Sequence, residues 1–177
     1  RLFLKCFKVK KMKKTLLAFF IACLIISSAG QVFANQNDET SKILAAAENV
    51  FIKMKNKDYK AIWDGLTVKT KEIIVNDVYK ASKKMDIEVS KDELKKDFGA
   101  PGPSAKAYWD SYLNVFNPIL VLEECNWAMG EIKKDKAEIY VLHKKSERPA
   151  LLKMYKENSE WKLGLEESFG ARKLTPF

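Results

Sequence analysis

The sequence predicts an α+β domain in which N-terminal helices pack on a curved, antiparallel C-terminal sheet. Two observations carry this prediction. Apolar residues recur at helical spacing up to about residue 116, whereas beyond Asn117-Pro118 they alternate with polar residues. The polar turns between the alternating segments are short enough for hairpins, so the predicted sheet is a meander of consecutive strands.

Five helices are predicted before the sheet from signals at their ends. Gly65 ends the second helix, where glycine can adopt the left-handed conformation of a C-cap. Ser90 and Glu93 have the spacing of a capping box and begin the fourth helix. Two prolines and two glycines within residues 99–103 predict a loop or a lid. The helices are expected at about residues 40–56, 59–65, 68–85, a short segment from residue 90, and 104–116.

Four strands follow, over residues 119–129, 136–144, 150–156 and 161–168. Asn158 lies in the turn before the last strand and is expected at positive φ, which asparagine tolerates better than most residues. No internal repeat or low-complexity tract interrupts this order. Residues 35–177 are therefore predicted to form one α+β domain.

Residues 1–34 predict a cleavable secretory signal. Lysines precede the apolar stretch Leu16–Ile26, and small residues then lead to Val32-Phe33-Ala34. The stretch is shorter than the roughly 20 apolar residues that span a bilayer, so cleavage after Ala34 is favoured over an uncleaved N-terminal anchor. Met12 is the expected natural start, which leaves residues 1–11 outside the native product. The protein is expected to be secreted or periplasmic, and to meet the membrane only through the signal before cleavage.

The charge and the cysteines of the mature part exclude two classes of protein. Residues 1–34 hold seven of the 32 basic residues and no acid, which leaves 25 basic against 23 acidic residues, a net charge of +2. The basicity of the whole chain therefore does not predict nucleic-acid binding. Cys125 is the only cysteine after residue 34, so the domain is not a disulfide-stabilised scaffold.

Three segments resemble the nuclear transport factor two-like superfamily, which includes ketosteroid isomerases and polyketide cyclases. They are the helix Ala45–Lys55, the element Asp58–Trp63 and the closing hairpin Leu152–Leu163, in which a charged turn precedes Trp161. The resemblance covers about residues 40–170 and implies a cystatin-like cone, with an apolar cavity open at one end. It also implies a short strand between the second and third helices of the family, for which Ile87-Glu88-Val89 is the candidate.

Catalytic members of this superfamily place a carboxylate with a histidine or a tyrosine inside the cone, and Glu123 and His143 are two candidates here. His143, the only histidine, shares a strand face with Val141 and suits a general base near neutral pH. Its position beside lysines at a strand end equally predicts a half-exposed structural residue. Glu123 shares strand phase with Cys125, so it is either a buried acid with a raised pKa or an ordinary surface charge.

Asp77 is the third catalytic candidate. It falls on the apolar side of the third helix, from which it could face Tyr108 or Tyr112 across the cavity. The alternative is a surface aspartate paired with Lys80 or Lys84. A tyrosine in this arrangement would act as the hydrogen-bond donor to the reacting group.

Aromatic residues are abundant and serve either as core or as the lining of a ligand cavity. Cys125 is expected to act as a small hydrophobe, since no basic partner is evident. No histidine pair, CxxC motif or glycine-rich phosphate loop is present, so no metal and no cofactor are predicted. The candidate ligand-binding residues are Trp63, Tyr108, Tyr112, Trp127, Tyr140 and Tyr155.

Three functions are consistent with the sequence. The first is an exported, non-catalytic binding domain whose cone holds a small apolar or amphipathic molecule. The second is an isomerase-like or cyclase-like enzyme of proton transfer, with Asp77, Glu123 or His143 as the base. The third is a structural module that forms a homodimer through its sheet.

The secretory signal makes a prediction about mass. The secreted protein is expected to begin at Asn35, because a small residue at position 34 ends the signal. Native mass spectrometry of the secreted form measures the mature mass, the oligomeric state and any retained small molecule together. A mass that still includes residues 12–34 would support the uncleaved anchor.

Overall fold

The structure is a computed structural model, and it describes residues 37–169. The chain divides into two compact units, residues 1–41 and 42–177. Of the first unit only residues 37–41 are described, and they are helical. The predicted signal peptide and its cleavage site lie outside the described residues. Within residues 37–169 no helix combines the length and the apolar character that crossing a bilayer requires.

Residues 37–169 are α+β, with helices followed by a four-stranded antiparallel sheet, as predicted. The helices are α1 (residues 37–55), α2 (Tyr59–Asp64), α3 (Val68–Lys84), α4 (Lys91–Gly99), α5 (Pro103–Val115), α6 (Pro118–Glu123) and a C-terminal α7 (Leu165–Phe169). The strands are β1 (Cys125–Lys133), β2 (Lys136–His143), β3 (Ala150–Glu157) and β4 (Glu160–Gly164), paired in the order β1-β2-β3-β4.

Local end signals are confirmed where side chains determine them. The capping box at the start of α4 is complete, because the Glu93 amide donates to Ser90 Oγ at 3.2 Å and Glu93 Oε2 accepts from the Ser90 amide at 2.7 Å. Asn158 has φ 50° and Ser159 has φ 67°, which gives the hairpin between β3 and β4 the expected tight turn. Residues 87–89, the candidate extra strand, are not in a strand.

The prediction of one strand over residues 119–129 is wrong, because its first half is the helix α6. Pro118 occupies the first turn, where its missing N–H costs nothing, and Asn117 Oδ1 accepts from the Ile119 amide at 3.0 Å. The apolar run that follows is compatible with a helix as well as a strand, so the N-cap and Pro118 determine that this segment is helical. The predicted strand 161–168 is likewise cut short at Gly164, and α7 follows it.

The sheet has one buried face and one outer face, set by the two-residue period of its strands. Ala137, Ile139 and Val141 of β2 are buried at 2%, 0% and 6% exposure, whereas Tyr140 between them is 41% exposed. The pairing of β1 with β2 shifts between Met129 and Ile132, which marks a β-bulge. Helices cover only the buried face, where the core lies.

A continuous row of aromatic rings fills the core between the helices and the sheet. We call it the aromatic row. Its successive ring centroids lie between 4.7 and 6.5 Å apart, within the range of favourable aromatic pairs. In order of contact it comprises Trp63, Phe98, Tyr108, Tyr112, Phe116, Phe51 and Trp127.

Gly65 ends α2 as predicted, but it is not in the left-handed conformation, since its φ and ψ are −79° and −7°. Glycine is needed here for close packing instead. A Cβ at Gly65 would lie 2.7 Å from Val50 Cγ2 of α1. The backbone beside it also joins β4, because the Leu163 amide donates to the Gly65 carbonyl at 2.9 Å and the Thr67 amide donates to the Leu163 carbonyl at 3.1 Å.

This close approach predicts the effect of Gly65→Ala. The added methyl group collides with Val50, so we expect the free energy of unfolding to fall by about 1–3 kcal/mol. In a Val50→Ala background the same change should cost clearly less, and the difference is the interaction energy of the pair. Urea denaturation of the four variants measures it.

Gly99→Ala is the matched control, because a Cβ there meets no neighbouring atom within 4 Å. We expect it to be neutral or to stabilise the domain by up to about 1 kcal/mol, since alanine favours a helix more than glycine does. An equal cost of Gly65→Ala in both backgrounds would contradict close packing as the reason for this glycine.

Candidate functional site

An apolar cavity of about 250 Å³ lies at one end of the buried sheet face. Its floor is formed where three strands align: Cys125 pairs with His143, and Val141 pairs with Ala150. Leu152 continues the floor along β3. Because these residues share the inward phase of their strands, the same alternation that builds the core also builds the cavity.

The walls of the cavity come from four helical segments. Phe51 of α1 and Phe116, just after α5, are the two rings of the aromatic row that reach it. Val121 of α6 and Phe169 of α7 complete the walls. The lining is therefore apolar except at one end, which is typical of a site for a small apolar molecule.

The polar end of the cavity is the connection between β2 and β3, with His143, Ser146 and Arg148. His143 Nδ1 accepts from the Lys145 amide at 3.1 Å, and its Nε2 lies 3.4 Å from Glu124 Oε2. Ser146 Oγ donates to the Arg148 carbonyl at 3.1 Å and accepts from the Arg148 amide at 3.3 Å. These bonds fix the path of the loop, so the cavity end has a defined shape.

Cys125 lies beside this histidine but is not an activated nucleophile. Burial, followed by the charge of Glu124, raises the pKa of the Cys125 thiol, which disfavours the reactive thiolate. Both ring nitrogens of His143 are also engaged, one by the Lys145 amide and one by Glu124. The raised thiol pKa agrees with the expectation that this cysteine serves as a small hydrophobe.

The three catalytic candidates are not brought together at the cavity. Asp77 is 65% exposed in its side chain and lies 3.9 Å from Lys80, the surface pairing given as its alternative. Glu123 is not on a strand, because it ends α6, and its 60% exposed side chain pairs with Lys55 at 3.2 Å. His143 lines the cavity and is 33% exposed, the half-exposed position that its neighbours predict.

Tyr108 lies near acids that do not belong to the cavity lining. Burial raises the pKa of its hydroxyl, and the charges of Glu166 and Asp77 raise it further. Burial also raises the pKa of the Glu166 carboxyl, followed by the charges of Asp77 and Glu167. Asp77 therefore acts on Tyr108 only through its charge, and its own side chain faces solvent. Glu166 was not singled out because it lies in the segment predicted as a strand.

The candidate ligand-binding aromatics are outside the lining of the cavity. Four of them, Trp63, Tyr108, Tyr112 and Trp127, belong to the aromatic row. Tyr140 and Tyr155 are out of phase with the buried positions of β2 and β3, so they lie on the outer sheet face. Each covers a glycine there: a Cβ at Gly130 or Gly164 would come within 2.8 Å of a tyrosine ring.

A second groove, of about 450 Å³, lies between α1, α2 and the β3–β4 hairpin. Trp161 contributes an aromatic edge, and charged side chains such as Asp64 and Lys162 line the rest. Lys162 Nζ already donates to the Asp64 carbonyl at 2.9 Å and to Glu160 at 2.6 Å. Lys162 is therefore already bonded within the protein, and the lining of this groove is more polar than that of the apolar cavity, which is the better candidate site.

Comparisons with known proteins give no indication of function, so the function is argued from the residues of the two sites. No protein-family model matches the chain, and no curated protein or solved structure is significantly similar to it. In the part of the chain that the structure describes, no group of three or more histidine, cysteine, aspartate or glutamate side chains could hold a metal ion.

Neutralising Glu166 and neutralising its neighbour Glu167 in α7 are predicted to change the stability of the domain in opposite directions. The raised pKa of Glu166 means that the folded state holds this proton more tightly than the unfolded state, so stability falls as pH rises above the ordinary value of 4.5. We expect Glu166→Gln to raise the melting temperature at pH 7 by roughly 1–3 °C and to change it less at pH 4. Thermal unfolding at both pH values measures this.

Glu167→Gln is the matched control, since Glu167 accepts from the hydroxyls of Thr67 at 3.0 Å and Thr70 at 2.6 Å. Replacing the carboxylate weakens at least one of these bonds, and we expect a loss of about 1 kcal/mol at pH 7. If Glu166→Gln also lowers the melting temperature at pH 7, the unfavourable burial of its charge is contradicted.

Proposed function

We propose that this protein is an exported, non-catalytic binding protein that holds a small apolar or amphipathic molecule in the apolar cavity. The observation that carries the proposal is the cavity itself, whose floor and walls are almost entirely apolar. Its volume of about 250 Å³ exceeds the roughly 150 Å³ that suffice to bind benzene in an engineered cavity. It is smaller than the sites that hold drug-sized ligands, which begin at about 300 Å³.

The cone-shaped arrangement of the nuclear transport factor two-like superfamily is part of this proposal. The order of the elements supports it, with helices first and a consecutive antiparallel sheet afterwards. The place of the cavity supports it too, because it lies between the helices and one end of the buried sheet face. The membership itself stays a prediction, as does export through the signal at residues 1–34.

Placement of the titratable groups favours binding over catalysis. His143 is the one catalytic candidate in the lining, and both of its nitrogens are engaged. Asp77 and Glu123 form surface ion pairs away from it. The isomerase or cyclase hypothesis stays a prediction that these contacts do not support.

A homodimer through the sheet is the third hypothesis, and the outer face offers one observation in its favour. Tyr140, Leu142, Leu151 and Tyr155 share that face, by the alternation of β2 and β3. Such a dimer is compatible with ligand binding, since the cavity lies on the opposite face of the sheet.

Filling the cavity tests the proposed function. Ala150 lines it from the exposed start of β3, so Ala150→Phe adds a ring there without replacing a buried residue. We expect the protein to bind toluene or 1-hexanol with a dissociation constant on the order of 0.1–1 mM, and Ala150→Phe to weaken binding at least about tenfold. Methyl NMR of Val141 and Leu152 measures saturation at the site.

Leu151→Phe is the matched control, because Leu151 is the next residue of β3 and points to the other face. It should leave the affinity for either probe within about twofold of the unchanged protein. Probes that do not perturb the Val141 and Leu152 methyl groups, or that bind Ala150→Phe equally well, would contradict a ligand site in this cavity.

A further inference from the structure

The polar groups that line the apolar cavity lie together at one end. A ligand in the cavity would therefore have one end among polar groups and the other among apolar side chains. Phe51, Phe116 and Val121 enclose the apolar part, and His143, Ser146 and Arg148 form the rim. A ligand that is polar throughout does not fit such a lining, and a purely apolar ligand leaves the rim unused. The division matches an amphipathic molecule with a short tail and one polar head.

Arg148 is the residue of the rim whose positive charge is not paired with a carboxylate within the described residues. It is the only arginine among residues 37–169, and within this range no carboxylate forms a salt bridge with it. The neighbouring Lys144 is engaged, because its Nζ donates to the Glu123 carbonyl at 3.1 Å. Arg148 is an exposed residue of the cavity lining, and within the described residues its guanidinium donors are therefore available.

The local backbone holds Arg148 in place. Its amide and its carbonyl both bond to Ser146 Oγ, and the Ser146 amide donates to the His143 carbonyl at 2.9 Å. Pro149 follows it and restricts its backbone to extended conformations. A fixed backbone lowers the entropy that the side chain loses when it binds a ligand.

The charge of the loop also favours an anion. Residues 144–149 contain three basic residues and one acid, a net charge of +2. Glu123 at the end of α6 pairs with Lys55, and when the Glu124 carboxylate is counted with the +2 of the loop the net charge is still +1. A planar guanidinium matches a carboxylate through two parallel hydrogen bonds.

We infer that the ligand is a monocarboxylic acid with a short alkyl or single-ring aryl tail, whose carboxylate binds Arg148 while the tail fills the apolar cavity. The inference rests on the proposed function, because it assigns the ligand class of the same cavity. The carboxylate stays at the rim, where it keeps part of its hydration, and only apolar atoms enter the interior.

Hexanoate and 1-hexanol test this assignment, since they share a six-carbon tail and differ in the charge of the head. Calorimetric titration of the purified protein should give at least about tenfold tighter binding of hexanoate, because a charge-assisted bond to arginine is strong. Arg148→Gln should remove that preference and leave the affinity for 1-hexanol within about twofold. Arg148→Lys should retain part of the preference, because it keeps the charge and loses the planar fork.

Lys145→Gln is the matched control, since it removes one positive charge from the same loop at a residue outside the cavity lining. It should leave the preference within about twofold. Equal affinity for the two probes, or an equal loss in Arg148→Gln and Lys145→Gln, overturns the assignment of a carboxylic acid while saturable binding of 1-hexanol still supports the cavity. If neither probe binds, the proposed function fails and this inference fails with it.

Discussion

The packing of aromatic rings decides what this fold leaves open. The aromatic row crosses the core from α2 to β1. Phe51 belongs both to the row and to the cavity lining. Its ring contacts Phe116 and Trp127, and it also borders the cavity. Phe51 and Phe116 border the apolar cavity, which lies at the β2–β3 connection. Ligand space in this protein is the part of the core that aromatic rings border without filling.

Much of the architecture could be predicted because its signals are local. The capping box of α4 and the Asn158 turn depend on side chains that act within three residues. The failures occurred where local patterns fit two structures. The apolar run after Asn117 suits a strand or a helix, and Pro118 with its cap selects the helix. At Gly65 the reason for glycine is the neighbouring helix, which no local pattern reveals.

The residues of the site were harder to predict from the sequence than the elements of the fold. The strand phase of His143 was correct, because a period of two residues depends only on its own strand. Whether an aromatic ring fills the core or lines a cavity depends on packing among distant segments, so the sequence left both uses open for Trp63 and Tyr108, which belong to the aromatic row. Arg148 lies in a loop outside every periodic pattern. Its signal was its chemistry, an isolated arginine before a proline in a lysine-rich chain.

The short helix α6 forms one wall of the cavity. It contributes Val121 to the lining, while Ile119 and Leu120 remain 40% and 42% exposed. The Val121 carbonyl accepts the indole N–H of Trp127 at 3.1 Å, which ties the helix to the strand that follows. Substitutions at position 121 can therefore change the depth of the pocket while strand pairing stays as it is. Related chains could diverge in the size of molecule they accept through this one segment, with the scaffold held constant.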